Sequence, residues 1–95
     1  MCAGCRAKLL SATDAALAAV TTIAHGGPAA RTEYAQVYAF AMQAMRDLVR
    51  LVPAGQHTDL LIYARVCVVR NDLSEAEESV RKWREAMGAI GVLPR

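Results

Sequence analysis

At 95 residues and 10.2 kDa, the chain has room for a single domain, residues 1–95, around one core, and a chain this short buries only about 60–65% of the surface it exposes when unfolded. Its apolar fraction of 55% includes 19 alanines but only one Phe and one Trp, a mix that suits close-packed helices and argues against an aromatic-filled β-sandwich. The net charge of +2, with basic residues scattered from Arg6 to Arg95, excludes the concentrated basic face of a strong phosphate binder, so nucleic acid is not an expected partner.

The first segment opens on Cys2-Ala3-Gly4-Cys5. Two thiols separated by two residues can hold one tetrahedral metal, zinc above all, or close a redox pair. Alone they are half a zinc site; the remaining ligands would have to come from His25, His57 or Cys67, none of which has a paired spacing of its own. The plain alternative is two terminal thiols with no role. Behind the motif, Leu9, Ala12, Ala16, Val20 and Ile23 recur at three- and four-residue steps and predict a helix over about 4–24, ended by Gly26. His25 stands where it could interact with the last carbonyls of that helix.

The low-charge stretch from Leu9 to Ala30 is interrupted by Asp14, His25 and Gly26-Gly27-Pro28. It therefore falls short of the ~20 uninterrupted apolar residues of a membrane span, and no membrane association is expected. Arg6, Lys8, Leu9 and Leu10 imitate only the beginning of a secretory signal, so a cytoplasmic address follows. An odd count of three cysteines fits reduced thiols in that compartment.

After the Gly-Gly-Pro break a second helix is predicted over about 29–52, with Tyr34, Val37, Tyr38, Ala41, Met45, Leu48 and Val52 inward and Pro53 as its stop. Arg46 and Arg50 fall on its opposite, solvated side. The third segment, 58–70, reads two ways. Its run from Leu60 to Val69 is rich in β-branched residues and could be a buried strand. Helix is preferred, because a lone strand would have no partner for its hydrogen bonds, whereas Leu60, Leu61, Ala64, Cys67 and Val68 form a helical stripe. Thr58 and Asp59 supply a start, and Tyr63 is grouped with the apolar faces.

The fourth helix, about 74–90, is specified several times over. Ser74 and Glu77 are spaced as a capping box. Glu75, Glu77 and Glu78 precede Arg81, Lys82 and Arg84, matching the helix dipole and allowing Glu77–Arg81 and Glu78–Lys82 pairs. Ala76, Val80, Trp83, Met87 and Ile90 form its apolar stripe. The link 71–73 is short enough to demand that the third and fourth helices form an antiparallel hairpin. That hairpin resembles a tetratricopeptide helix pair at Asp72, Ala76 and Val80, over about a third of the chain, but lacks the aromatic and glycine positions of that motif's first helix.

The expected fold is thus all-α, a compact bundle of four helices. No serine or cysteine stands with a histidine and carboxylate at triad spacing, the carboxylates from Asp72 to Glu78 are accounted for by helix-start effects, and Gly26-Gly27 is not followed by a Lys-Ser/Thr pair. No enzyme is read here. The expected function is a non-enzymatic helical protein–protein interaction domain, an adaptor, assembly or inhibitory partner protein, joined to a protein partner or to itself. Trp83, Met87 and Ile90 are its candidate contact stripe, since Trp and Met anchor interfaces; burial in the domain's own core is the favoured reading of the same spacing. The alternative is a small metal- or redox-responsive regulator using Cys2 and Cys5, with a helical surface for DNA.

Overall fold

The computed structural model describes residues 3–26, 35–52 and 55–94. They form four α-helices, α1 (Ala3–His25), α2 (Ala35–Leu51), α3 (Thr58–Val69) and α4 (Leu73–Ala89), with no strand among the described residues. The third segment is therefore helix, and the expected bundle of four is observed. The proposed beginning of the second helix, 29–34, lies outside the described residues.

Each helix packs against two others: α1 on α2 and α4, and α3 on α2 and α4. Contacts between side chains fix the directions. His25 and Thr21 of α1 meet Glu77 and Arg81 of α4, Ser79 and Trp83 of α4 reach Leu60 and Gln56 at the start of α3, and Tyr38 of α2 reaches Asn71 after α3. In each pair one helix runs down as the other runs up, which gives an antiparallel up-down-up-down bundle.

The core follows the helical stripes. Leu9, Ala16, Val20 and Ile23 of α1 meet Ala41, Met45 and Leu48 of α2, Leu61, Ala64 and Cys67 of α3, and Ala76, Val80, Trp83 and Met87 of α4. Two polar side chains are buried with them. The Thr13 hydroxyl donates to the Leu9 carbonyl of its own helix at 2.7 Å, and Ser79 donates across the α3/α4 interface to the Leu60 carbonyl at 2.6 Å. Both are thereby satisfied, as buried hydroxyls must be to avoid a desolvation penalty.

Helix starts depart from the sequence reading. Asp72, not Ser74, is the N-cap of α4, and no side-chain cap hydrogen bond is made there. Glu77, expected to reach back to the backbone, instead meets His25 of α1 at 3.2 Å and Arg81 of its own helix at 3.1 Å. An ion pair with Arg81 together with the contact to His25 outweighs one capping bond. Likewise Thr58 is the first residue inside α3, and its cap is His57 in the left-handed region (φ 57°) without a side-chain bond.

Helix ends are more strongly built. After α3, Asn71 (φ 64°) stands in the left-handed region; its N–H donates to the Val68 carbonyl at 3.0 Å and the Asp72 N–H to the Cys67 carbonyl at 2.8 Å. After α4, Gly91 (φ 79°) does the same, with its N–H to Gly88 at 3.2 Å and the Val92 N–H to Met87 at 2.9 Å. This pairing satisfies carbonyls a helix otherwise leaves open, and it turns Leu93 back into the core. Asp72 closes α3 and opens α4 at once, accepting from the Ala76 N–H at 3.1 Å. Gly91→Ala is expected to cost about 1 kcal/mol, because an L side chain is strained at positive φ. Nothing lies within 4 Å of where the added methyl would stand, so crowding adds nothing, and a urea-midpoint shift several times larger would refute this account.

Candidate functional site

The cysteine and histidine candidates are kept apart. Cys5 is exposed in the first turns of α1, and Cys2 lies outside the described residues. His25 ends the same helix twenty residues on, which at 1.5 Å per residue is about 30 Å away, so it cannot share a metal with Cys5. His57 is exposed at the start of α3, and Cys67 is buried near that helix's other end. Among the described residues no group of three or more His, Cys, Asp or Glu side chains converges as a metal would require.

His25 belongs instead to a polar cluster tying the end of α1 to the start of α4. Its Nε2 lies 3.2 Å from Glu77 Oε1, and Arg81 donates to Glu77 and to Thr21. The Glu77 carboxylate is only 13% exposed, against 69% for His25 and 55% for Arg81. Burial pushes the Glu77 carboxyl up, but hydrogen bonds from Thr21 and Arg81 and the positive charges of His25 and Arg81 together outweigh it and hold it below its ordinary value of 4.5. A depressed folded-state value means that the carboxylate's stabilisation is present above pH 4.5 and is lost as the pH falls through that lower value. Because its partners are solvated, Glu77→Gln is expected to cost only roughly 0.5–1 kcal/mol at neutral pH. The difference from wild type should vanish in acid; urea titrations at several pH values in which the two proteins stay equally far apart would contradict it.

The stripe proposed for partner contact divides. Trp83 and Met87 have no exposed surface, and the indole Nε1 donates to the Gln56 carbonyl at 3.2 Å. Both are core residues, out of a partner's reach in the folded domain. Ile90, just past the end of α4, is 52% exposed. Tyr63, grouped with the apolar faces by its spacing, is exposed as well, on the flank of α3 next to α4. Its hydroxyl is pushed above the usual phenol value of 10.0, first by a hydrogen bond with Cys67 one turn on, then by the negative charges of Cys67 and Glu75. Arg46 and Arg50 are solvated, as their positions imply.

α1 is long and apolar enough to cross a membrane by length and composition alone. In the bundle its apolar side, from Leu9 to Ile23, is spent on the core, which is the other common fate of such a helix.

The unexpected surface is the outer face of α3. Leu61, Ala64, Cys67 and Val68 point inward, while Ile62, Val66 and Val69, at spacings of four and three, point away from the core with exposures of 49%, 41% and 75%. Beside them runs a shallow groove of about 360 Å³ between α2 and α3, lined by Met42, Ile62, Arg65, Val66, Val69 and Arg70. The inner stripe is the one that the spacing of Leu60, Leu61, Ala64, Cys67 and Val68 predicts. The signal for the outer one was present in Leu60-Leu61-Ile62-Tyr63-Ala64-Arg65-Val66-Cys67-Val68-Val69, a helix apolar nearly all round. Such a helix is ordinarily buried on all sides, and among the described residues this one is covered on only one.

Compared with family models, with curated proteins and with solved structures, the chain matches none of them.

Proposed function

We propose that the protein is a non-enzymatic helical interaction domain whose contact surface is the outer face of α3. One observation carries this reading: α3 is apolar on both sides, and among the described residues the bundle covers only one. Scattered single apolar residues are ordinary on a surface, but Ile62, Val66 and Val69 form one stripe joined to a groove containing Met42, the arrangement that marks association sites. A 95-residue bundle also has little core to spare, so covering this face would add stability that the isolated domain lacks.

The test is association of wild type compared with Val66→Asp, which places a charge in the middle of the stripe without touching the core. Light scattering across a wide concentration range measures self-association, and affinity purification from the native host measures stoichiometric partners. The reading expects one of these to be seen with wild type and lost in the variant. A strictly monomeric wild type with no stoichiometric partner would sink it.

A further inference from the structure

We infer that the α2/α3 groove takes an amphipathic helix of a partner protein that carries carboxylates along one flank of its apolar stripe. This rests on the interaction reading above and names the chemistry of the partner.

The shape argues for a helix. Two antiparallel helices with an apolar furrow between them present the geometry into which a third helix lays residues spaced i, i+4 and i+7, and Ile62, Val66 and Val69 already repeat at that spacing on the receiving side. The charges argue for acid. Arg65 and Arg70 line the groove, and among the described residues neither makes an ion pair. Guanidinium groups without a carboxylate beside an apolar furrow are suited to a partner's carboxylates, each of which can accept two parallel N–H bonds from such a fork.

The flanks are also unlike. Arg65 and Arg70 line the α2/α3 groove, whereas Asp72 and Glu75 stand at the start of α4, so an acidic flank is favoured toward α2 and disfavoured toward α4. A second copy of this chain fits worse. Antiparallel packing of α3 on α3 about a two-fold axis through Val66 would set Arg65 against its own copy, and like charges so placed oppose association.

The probe is a fluorescein-labelled amphipathic helical peptide with Leu at the contact positions and Glu along one flank, compared with the same peptide carrying Lys there, using the full chain and fluorescence anisotropy. The acidic peptide is expected to bind at least about tenfold more tightly than the basic one, and raised salt should narrow the gap. Val66→Asp should weaken binding of the acidic peptide roughly tenfold, and Arg65→Gln roughly fivefold, the latter with little change for the basic peptide. Circular dichroism checks that both variants stay folded; Val66 is exposed and Arg65 half-buried, and neither belongs to the buried core.

Equal binding of the two peptides, preference for the basic one, or binding untouched by Val66→Asp would overturn the inference. Should neither peptide bind while wild type dimerises and Val66→Asp is monomeric, the occupant is a second copy, and the inference falls while the interaction reading stands. A stoichiometric host partner lost in Val66→Asp, with neither peptide bound, likewise removes the inference and leaves the interaction reading in place.

Discussion

Trp83→Ala is expected to be the most destabilising single substitution in the domain. Trp83 is the largest side chain in the core and has no exposed surface, and truncating such a residue costs about 3–5 kcal/mol through lost transfer energy and the cavity left behind. A domain of this size has about 5–15 kcal/mol in all, so one substitution removes a large share of it. The indole also satisfies the Gln56 carbonyl before α3 begins, so the loss reaches from α4 into the approach to the third helix. Trp83→Phe, which keeps a ring but removes the donor, should cost distinctly less. Urea unfolding followed by circular dichroism separates the cases. A Trp83→Ala protein as stable as wild type would mean that the indole is not packed as described, and would make it a surface contact after all.

Leu48→Ala is expected to have the next largest effect, about 2–5 kcal/mol. The reason lies in how α2 is held. Its fully buried residues are Ala41, Met45 and Leu48, continued by Val52 just past its end, so only two large side chains of this seventeen-residue helix are fully buried, with Val37, Tyr38, Met42 and Val49 packed partly buried beside them. Removing one should also loosen α2 ahead of the rest, since local opening tracks how few buried apolar contacts an element has. Amide hydrogen exchange is the measurement. Protection lost in α2 while the α3/α4 pair keeps its own would support this account, whereas a change of less than about 1 kcal/mol in overall stability would contradict it. Because α2 also forms one wall of the groove through Met42, the same substitution should weaken binding there.

Periodicity was the legible part of the sequence. Leu9, Ala16, Val20 and Ile23 on α1, and Ala41, Met45 and Leu48 on α2, are buried where their spacing places them, because a helical repeat of about 3.6 residues turns sequence position directly into a face. The i,i+4 pairs Glu77–Arg81 and Glu78–Lys82 form as expected, being local to one helix. The capping box failed for the opposite reason. Its Glu77 had a rival partner in His25, 52 residues away, and no local pattern contains that competitor.

The same boundary runs through α3. Its β-branched run made strand and helix hard to tell apart from the sequence, and the outward Ile62, Val66 and Val69 are part of what made that run look like a buried strand. Sequence by itself determined three helices, left the third segment between helix and strand with helix preferred, and implied that a three-residue link would fold the last two segments back on each other. Only the tertiary structure decided which apolar stripe is spent internally, because burial depends on whether a neighbouring helix arrives. α4 found neighbours for Trp83 and Met87, so of the two uses their spacing allowed, core and contact, the core was realised. Among the described residues α3 was given neighbours on one side only, and its other side was left to face water.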